Sequence, residues 1–308
     1  MPGAENSNIP NLIMMVRPKH FGFNPETAQS NSFQQKIDVK DVVSKAQGEF
    51  DEMVNVLRSK HIEVKVFEDQ EIVVPDAVFP NNWISHQPDG KLIVYPMLTP
   101  NRRAEVRSDI IDWCVNTLHP SELIDLTPNV GDDAFLEGTG SIVFDHIHKT
   151  AYACISPRTN LKLLSELMNR VGYKTISFES VDQYGERIYH TNVMMSMGRN
   201  LVLICLDSVE NILERSMLKE TLEKSGKEII ELSYQQMNAF AGNAFEVLSK
   251  NGNYYYVMSE TAFAVLTPNQ KDTISQKSEI LNVKIPTIEQ VGGGSARCMM
   301  AGFFNYPR

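Results

Sequence analysis

The sequence is poor in the features that mark membrane, nucleic-acid-binding and disulfide-bonded proteins. No apolar run approaches the roughly 18 residues that a membrane helix needs, and residues 1–15 lack the basic start and long apolar stretch of a secretory signal. Lysine and arginine number 29 against 38 acids, a formal net charge of −9 that opposes binding to phosphate backbones. These absences predict a cytoplasmic protein with neither nucleic acid nor a membrane as partner.

Cysteine is also scarce, and its spacing excludes the usual metal and disulfide motifs. The four cysteines, at positions 114, 154, 205 and 298, are far apart and form no CxxC pair. We therefore expect reduced thiols, no metal site and no cofactor. With 308 residues and 42% hydrophobic residues, the chain is long enough for a large core, and we interpret residues 1–308 as one α/β domain.

What the sequence does contain is a weak internal repeat. Residues 141–180 have the order strand, strand, helix, strand: SIVFD, TAYACIS, TNLKLLSELMNRVG and YKTISFES. The same order recurs upstream from NWISHQ and downstream from NVMMSM and from AFEVLSK, the last ending in VKIPTIEQ. The N-terminal part lacks one strand, which the C-terminal segment SARCMMAGFF can supply. We expect five ββαβ units whose first and last strands pair, because closure removes exposed sheet edges.

Each unit begins just after a polar or reactive residue: Asn82, Glu137, His190, Asn243 and Cys298. Subtraction gives intervals of 55, 53, 53 and 55 residues. A regular repeat of this length is typical of radial architectures. Equivalent positions in such a ring surround one axis, so these five side chains are expected to meet.

Cys298 is the strongest candidate for chemistry. It follows the segment VGGGSAR, in which three glycines permit close approach of backbone N–H groups and Arg297 adds positive charge. Such surroundings lower the pKa of a thiol and make it nucleophilic. The other three cysteines lie in helix or strand patterns and are interpreted as structural.

His190 and Glu137 are candidates through the repeat. A distant histidine that converges on a cysteine is the arrangement of activated thiol catalysis. Glu137, between an apolar pair and a Gly-Thr-Gly turn, is either a turn residue facing water or an acceptor for substrate N–H groups. Other polar positions, for which a turn or cap is the simpler explanation, are Asp76, Asn81, Asn82, Arg102, Arg103 and Arg158.

Taken in order, these motifs resemble the guanidino-group-modifying enzymes, or pentein superfamily, which includes arginine deiminase, glycine amidinotransferase and dimethylarginine dimethylaminohydrolase. The matching pieces are PDAVFPNNW, FLEGTG, ISPRTN, YHTN and GGGSARC. The resemblance implies a five-bladed β/α propeller with pseudo-fivefold symmetry. It also implies Cys298 as nucleophile, His190 as general acid/base and Glu137 as a ligand of the substrate amide.

The resemblance further implies that Arg158 and either Arg102 or Arg103 hold a substrate carboxylate, and that Asp76 touches substrate. Two positions depart from the pattern of arginine-specific members, which have aspartates where this chain has Asn82 and Asn192. A guanidinium is a charged, pure donor and needs a counter-charge when buried. Asparagines suit a neutral ureido group better, and the whole pattern is similar to the citrulline ureidase branch.

The leading hypothesis is therefore cofactor-free hydrolysis of a small amino acid, L-citrulline, to ornithine, CO₂ and ammonia. The residues expected to bind substrate are Asp76, Asn81, Asn82, Arg102, Arg158, Asn192, Asn243 and Gly293, with backbone N–H groups of residues 292–294 as candidate oxyanion donors. The alternatives are a deiminase or dimethylaminohydrolase for arginine or a methylated arginine, an amidinotransferase, and a non-catalytic binding module. A homodimer is a candidate assembly. The sequence leaves open whether residues 17–40 act as a lid.

Overall fold

The computed structural model describes residues 8–37, 40–129 and 134–306, which form five three-stranded sheets. The first sheet joins both ends of the chain. Strand β1 (Leu12–Arg17) is followed by helix α1 (Val42–Ser59) and strand β2 (Glu63–Glu68), and β15 (Ala301–Phe303) pairs antiparallel with β1. This pairing of the terminal strands was predicted from the repeat.

The next two sheets follow the ββαβ order along the chain. The second contains β3 (Ile84–His86), β4 (Lys91–Val94), α2 (Pro100–Arg103), α3 (Ser108–Leu118) and β5 (Glu122–Asp125). The third contains α4 (Gly138–Ser141), β6 (Val143–Asp145), β7 (Thr150–Cys154), α5 (Leu161–Val171) and β8 (Lys174–Phe178). In both, the middle strand pairs antiparallel with the first strand and parallel with the third.

The last two sheets repeat this pairing. The fourth contains α6 (Thr191–Met194), β9 (Met195–Met197), β10 (Leu201–Ile204), α7 (Ile212–Lys224) and β11 (Glu228–Glu231). The fifth contains α8 (Tyr234–Asn238), β12 (Phe245–Leu248), β13 (Tyr254–Ser259), α9 (Glu260–Val265), α10 (Pro268–Ser275), β14 (Glu279–Val283) and α11 (Pro286–Gly292). The fold is thus mixed α/β, with units of the predicted order.

The local sequence explains why the connection between the second and third strands of a unit is helical, as α5 shows. In α5, apolar residues recur on one face, and Leu164, Leu167, Met168 and Val171 are buried there. The Asn160 side chain accepts the N–H of Leu163 and caps the first turn. Gly172 ends the helix at φ 77°, a conformation that glycine adopts without strain. The helix therefore packs against its sheet and returns the chain for the parallel third strand.

The first strands of the units are neighbours. Strand β3 contacts β15, and β9 contacts both β6 and β12. Gly302 on β15 lies so close to Phe245 on β12 that a Cβ at Gly302 would be 2.7 Å from Phe245 Cζ. The five sheets remain separate from one another in hydrogen bonding, so the described strands do not form one closed barrel. Within the described residues, no helix is long and apolar enough to cross a bilayer.

Three boundaries differ from those expected. The segment VKIPTIEQ was interpreted as a strand, but β14 ends at Val283 and Pro286 begins α11, because proline suits the first turn of a helix. In NVMMSM, the first residues complete the helical turn α6 and only Met195–Met197 is a strand. The terminal strand begins at Ala301, three residues after Cys298. The catalytic candidate therefore lies on a turn, not on the strand.

The pairing of β15 with β1 predicts a large loss of stability for Phe303→Ala. Phe303 is fully buried and packs edge-on against Trp113. Truncation of such a side chain costs about 3–5 kcal/mol, measurable as a lower urea midpoint at unchanged slope. Leu161→Ala, at a position 47% exposed, is the matched control and loses much less. Equal losses for the two variants would show that the terminal strand is not docked as described.

Candidate active site

A cavity lies where the first strands of the units begin. It is lined by Thr27, Asn31, Gln34, Asp76, Phe79, Asn82, Arg102, Arg158, Tyr189, His190, Gly292, Gly293, Gly294 and Cys298. Most of the site residues predicted from the sequence are among these, although they lie up to 222 positions apart in the chain (298 minus 76). Each reaches the cavity from the loop or short helical turn that precedes or follows a strand.

Cys298 lies on the turn between α11 and β15 and is 3% exposed. Its N–H donates to the carbonyl of Ser295 at 2.9 Å, which fixes the turn. The amide Nδ2 of Asn243 is 3.3 Å from Sγ, and that of Asn192 is 3.7 Å away. Two asparagine side chains therefore face the sulfur.

The orientation of Asn243 is set by its backbone contacts. Its Oδ1 accepts the N–H of Arg297 at 3.0 Å, and its Nδ2 donates to the carbonyl of Asn192 at 2.8 Å. Because both ends of the amide have partners that match only one orientation, the donor Nδ2 is the amide atom nearer to Sγ, and the thiol is also 3.6 Å from Oδ1. Asn243 therefore contacts the sulfur of Cys298, and its expected role in binding substrate stays a prediction.

His190 and Glu137 form a buried pair, with Nε2 of the histidine 2.8 Å from Oε2 of the carboxylate. Burial lowers the pKa of His190 to about 4, even though Glu137 opposes this. Burial alone would raise the pKa of Glu137, but Arg158, His190 and Arg102 outweigh it and hold that pKa well below its usual range. At neutral pH the pair therefore consists of an ionised carboxylate and a neutral imidazole that donates Nε2–H.

The other contacts of Glu137 are also internal. Its Oε1 accepts the N–H of Leu98 at 3.0 Å, and its Oε2 lies 3.2 Å from Nη1 of Arg158. Glu137 is fully buried behind His190 and is not part of the cavity wall. Its expected role as a ligand of the substrate amide stays a prediction.

Arg102 and Arg103, which the sequence could not separate, have different surroundings. Arg102 is buried in the cavity wall, bonds both carboxylate oxygens of Glu105 at 2.8 and 2.9 Å, and donates to Oδ1 of Asn82 at 2.9 Å. Arg103 donates to the carbonyls of Met97 and Leu98, away from the cavity. Arg102 is thus the arginine that reaches the site, and Glu105 is a partner that sequence reasoning missed.

Asp76 has one carboxylate oxygen in use and one free. Its Oδ2 accepts hydrogen bonds from Asn24 at 2.7 Å and from Thr27 at 3.0 Å. Its Oδ1 is buried and has no partner among the described residues. A buried, unpaired carboxylate oxygen in a cavity wall is a ready acceptor for a ligand N–H group.

A segment between Asn24 and Gln34 covers the cavity. The carbonyl of Thr27 and the hydroxyl of Ser30 accept hydrogen bonds from Arg158 at 2.9–3.0 Å. Asn31 and Gln34 donate to the carbonyls of Gly293 and Gly292. The segment lies inside the span 17–40, for which a lid role was left open and of which residues 38 and 39 are outside the described chain. Its polar contacts were not visible from its composition.

Two residues expected to bind substrate do not have the expected geometry. The N–H of Gly293 donates to Glu289 at the end of α11, so it is not free to hold an oxyanion. Its carbonyl instead accepts the hydroxyl of Tyr189 at 2.6 Å. Asn81 is fully buried but does not line the cavity, and neither polar atom of its side chain has a partner among the described residues.

Gly140 shows how tightly the histidine is held. A Cβ built there would lie 2.3 Å from Nδ2 of Asn82 and 2.7 Å from Nδ1 of His190. Only glycine leaves room for both side chains, which explains the Gly-Thr-Gly turn after Glu137. Within the described part of the chain, no group of three or more histidine, cysteine or acidic side chains is arranged to hold a metal ion.

The family is decided by a comparison with family models. Residues 17–305 match the model described as N,N dimethylarginine dimethylhydrolase, eukaryotic. The chain belongs to this family. It thereby belongs to the guanidino-group-modifying superfamily that the motifs resemble. No curated protein matches the chain.

Solved structures show the same fold at low identity. The apo structure of ArgZ, a cyanobacterial arginine dihydrolase, has a TM-score of 0.73 at 14% identity over 94% of this chain. This chain spans only 40% of that protein. The N-terminal domain of ArgZ has also been solved alone, covalently bound to a reaction intermediate. This chain covers 97% of that domain, with a TM-score of 0.74 at 14% identity. A dimethylarginine dimethylaminohydrolase variant from Pseudomonas aeruginosa complexed with citrulline has a TM-score of 0.65 at 14% identity, covering 96% of this chain and all of that one.

The contacts of Sγ predict how the reactivity of Cys298 changes in Asn243→Asp. A carboxylate in place of the donor amide disfavours the thiolate, so the pH midpoint of iodoacetamide labelling rises by about one unit or more. Labelling is followed by peptide mass spectrometry. Burial raises the pKa of Cys114 to about 12 and of Cys154 to about 11, so neither should label in the folded protein.

The control for this experiment is Asn211→Asp, which makes the same change at the N-cap of α7, where aspartate also caps well. It should leave the labelling profile unchanged. An unshifted midpoint in Asn243→Asp would show that this amide does not stabilise the thiolate.

Proposed function

We propose that this protein is a cysteine hydrolase that cleaves the ureido group of L-citrulline to give ornithine, CO₂ and ammonia. The observation that carries the proposal is the chemistry of the groups facing Sγ of Cys298. They are the side chains of Asn243 and Asn192, at 3.3 and 3.7 Å, and no carboxylate contacts the sulfur among the described residues. Amide donors suit a ureido oxygen that gains negative charge during attack, whereas a guanidinium offers them only further donors.

The charge balance around the cavity supports a neutral reacting group. Glu137 is compensated by Arg158, and Glu105 by Arg102. A guanidinium would have to displace one of these arginines or compete with the α-amino group for Asp76, at a desolvation cost that a neutral ureido group avoids. The free Oδ1 of Asp76 is left to accept the α-amino group of an amino acid.

The α-carboxylate of the substrate is assigned to Arg102 and Arg158, whose guanidinium groups lie in the cavity wall. Both are held by internal partners, and the hydroxyl of Ser30 is the contact of Arg158 that a substrate carboxylate could replace. A planar fork of N–H donors matches a carboxylate in two-point contact. Contacts to the α-amino group and to the α-carboxylate orient the amino acid so that its side chain extends toward Cys298.

The reaction then proceeds in two steps. The Cys298 thiolate attacks the ureido carbon, and its electron pair forms an S–C bond while the C–Nδ bond breaks. The proton that the Cys298 thiol loses is taken up by His190 and passes to the leaving amine, giving ornithine and an S-carbamoyl cysteine. Water, deprotonated through His190, attacks the carbamoyl carbon and releases the thiolate. The product, carbamate, decomposes to CO₂ and ammonia, so atoms and charge balance without a cofactor.

A guanidino substrate is the second candidate, and the family match favours it. The matching model describes a hydrolase of N,N-dimethylarginine, and ArgZ is described as an arginine dihydrolase. In this case Asp76 and Glu137 would provide the charge pairing. We also infer that the five units surround one axis with approximate fivefold symmetry, as the contacts between their first strands indicate.

Incubation with citrulline, arginine and N,N-dimethylarginine separates the two candidates. We expect equal amounts of ornithine and ammonia from citrulline, and a loss of about 10³-fold or more in kcat for Cys298→Ser. Cys205→Ala, a buried cysteine far from the cavity wall, is the control and stays active. Arginine or dimethylarginine turned over at rates well above citrulline would overturn the ureido assignment.

A substitution at Asn82 also distinguishes a ureido substrate from a guanidino substrate. Asn82→Asp adds a carboxylate to the cavity wall, so the ratio of kcat/KM for citrulline to that for arginine should fall by about tenfold or more. Asn160→Asp makes the same change at the N-cap of α5 and should leave the ratio unchanged. A ratio that rises in Asn82→Asp would contradict the role given to this amide.

A further inference from the structure

A second cavity lies at the opposite end of the first strands. The active-site residues precede these strands, whereas this cavity extends along the strands to residues at or beyond their far ends, including His86, Gln87 and Phe304. Arg297 and Phe245 also line it. We call it the axial cavity. Asn192 is in its wall and also contacts Cys298, so the two cavities are separated by little more than this side chain.

Arg297 brings a positive charge into the axial cavity without a counter-charge. Its Nη1 donates to the carbonyl of Met300 at 2.6 Å, and its guanidinium stacks on Phe245 at 3.9 Å from the ring centroid. No carboxylate forms an ion pair with it among the described residues. Burial lowers the pKa of Arg297 to about 10, which still leaves it charged at neutral pH.

The acids in the same wall are already compensated. Asp145 pairs with Lys227 at 3.5 Å and with His148 at 2.9 Å. Glu246 pairs with Arg199 at 3.3 Å. Each acid has its own cation, so within the described residues Arg297 leaves the axial cavity with one uncompensated positive charge. A buried cation with this surplus attracts an anion.

Neutral donors without partners line the same cavity. His86 is 5% exposed, and its Nδ1 accepts the N–H of Phe304 at 3.1 Å. Burial lowers the pKa of His86 to about 4, so the ring is neutral and its proton is on Nε2, which has no partner among the described residues. Gln87 is 1% exposed, and both atoms of its amide are also unpartnered among those residues. Leaving such buried groups unsatisfied is destabilising, so a ligand that pairs with them gains affinity.

We propose that the axial cavity binds a small planar oxyanion, of the class of bicarbonate or formate, held by Arg297 with His86 and Gln87 as neutral hydrogen-bond donors. The guanidinium fork matches two oxygens of such an anion. The side-chain amide of Gln87 also offers an acceptor to an anion that carries a hydroxyl, as bicarbonate does. The site is distinct from the catalytic cavity and does not depend on the reaction proposed above.

Thermal unfolding of the whole protein tests this site without any turnover. Sodium bicarbonate and sodium formate are titrated separately at constant ionic strength with sodium chloride as the balancing salt. A ligand that binds only the folded protein raises Tm in a saturable way, and we expect about 2 °C or more near saturation. The larger shift of the two identifies the better-fitting anion, and a shift with either supports the site.

The variants decide where the anion binds, because carboxylates could also bind the arginines of the catalytic cavity. Arg297→Met keeps the stem that packs on Phe245 and should abolish the shift, and Gln87→Leu should reduce it about threefold or more. Arg158→Met, in the catalytic cavity, and Arg215→Met, at the surface, should keep it.

Two results overturn the proposal: a shift lost in Arg158→Met but kept in Arg297→Met, or no saturable shift over chloride in the parent protein. If Arg297→Met does not fold, Gln87→Leu decides the matter alone. A reduced shift in that variant then supports the axial cavity, and a full shift overturns it.

Discussion

The buried charge of Glu137 is the constraint on which the rest of the site depends. A carboxylate without solvent is tolerated only where cations and donors surround it. Here Arg158 and His190 contact the same oxygen, and the backbone of Leu98 contacts the other. Satisfying Glu137 therefore fixes the direction of the histidine and the position of an arginine in one step. Arg158 and His190 belong to different units of the chain, so the carboxylate of Glu137 links two neighbouring units.

The convergence of distant residues could be predicted because the repeat has a regular length. Asn82, His190 and Cys298 start their units at similar points, and the structure brings all three into one cavity wall. The order of the strands and the intervals between the polar residues are sufficient to predict this convergence. The pairing of the terminal strands followed from the missing strand in the first unit, and it is present between Leu12 and Phe303.

Other features could not be predicted because they arise only from tertiary packing. Nothing in the sequence distinguishes Arg102 from Arg103, which differ by which one faces Glu105. A glycine-rich segment predicts a free N–H at Gly293, but the end of α11 uses it. The repeat predicts that Asn243 meets Cys298, but not that its Nδ2 also donates to the carbonyl of Asn192. In each case the deciding quantity is a hydrogen bond that the sequence pattern does not reveal.

The pairing of β1 with β15 also has a consequence for the order of events during synthesis. Strands separated by nearly the whole described chain must meet before the turn carrying Cys298 is held in place. Contacts of such long sequence separation form slowly and late. The ribosome has completed four of the five units before it adds the cysteine, and the segment that covers the cavity is made long before the glycines it binds. A partly synthesised chain thus holds its arginines and its histidine without Cys298, and the turn that carries this cysteine is held in place only when β15 pairs with β1.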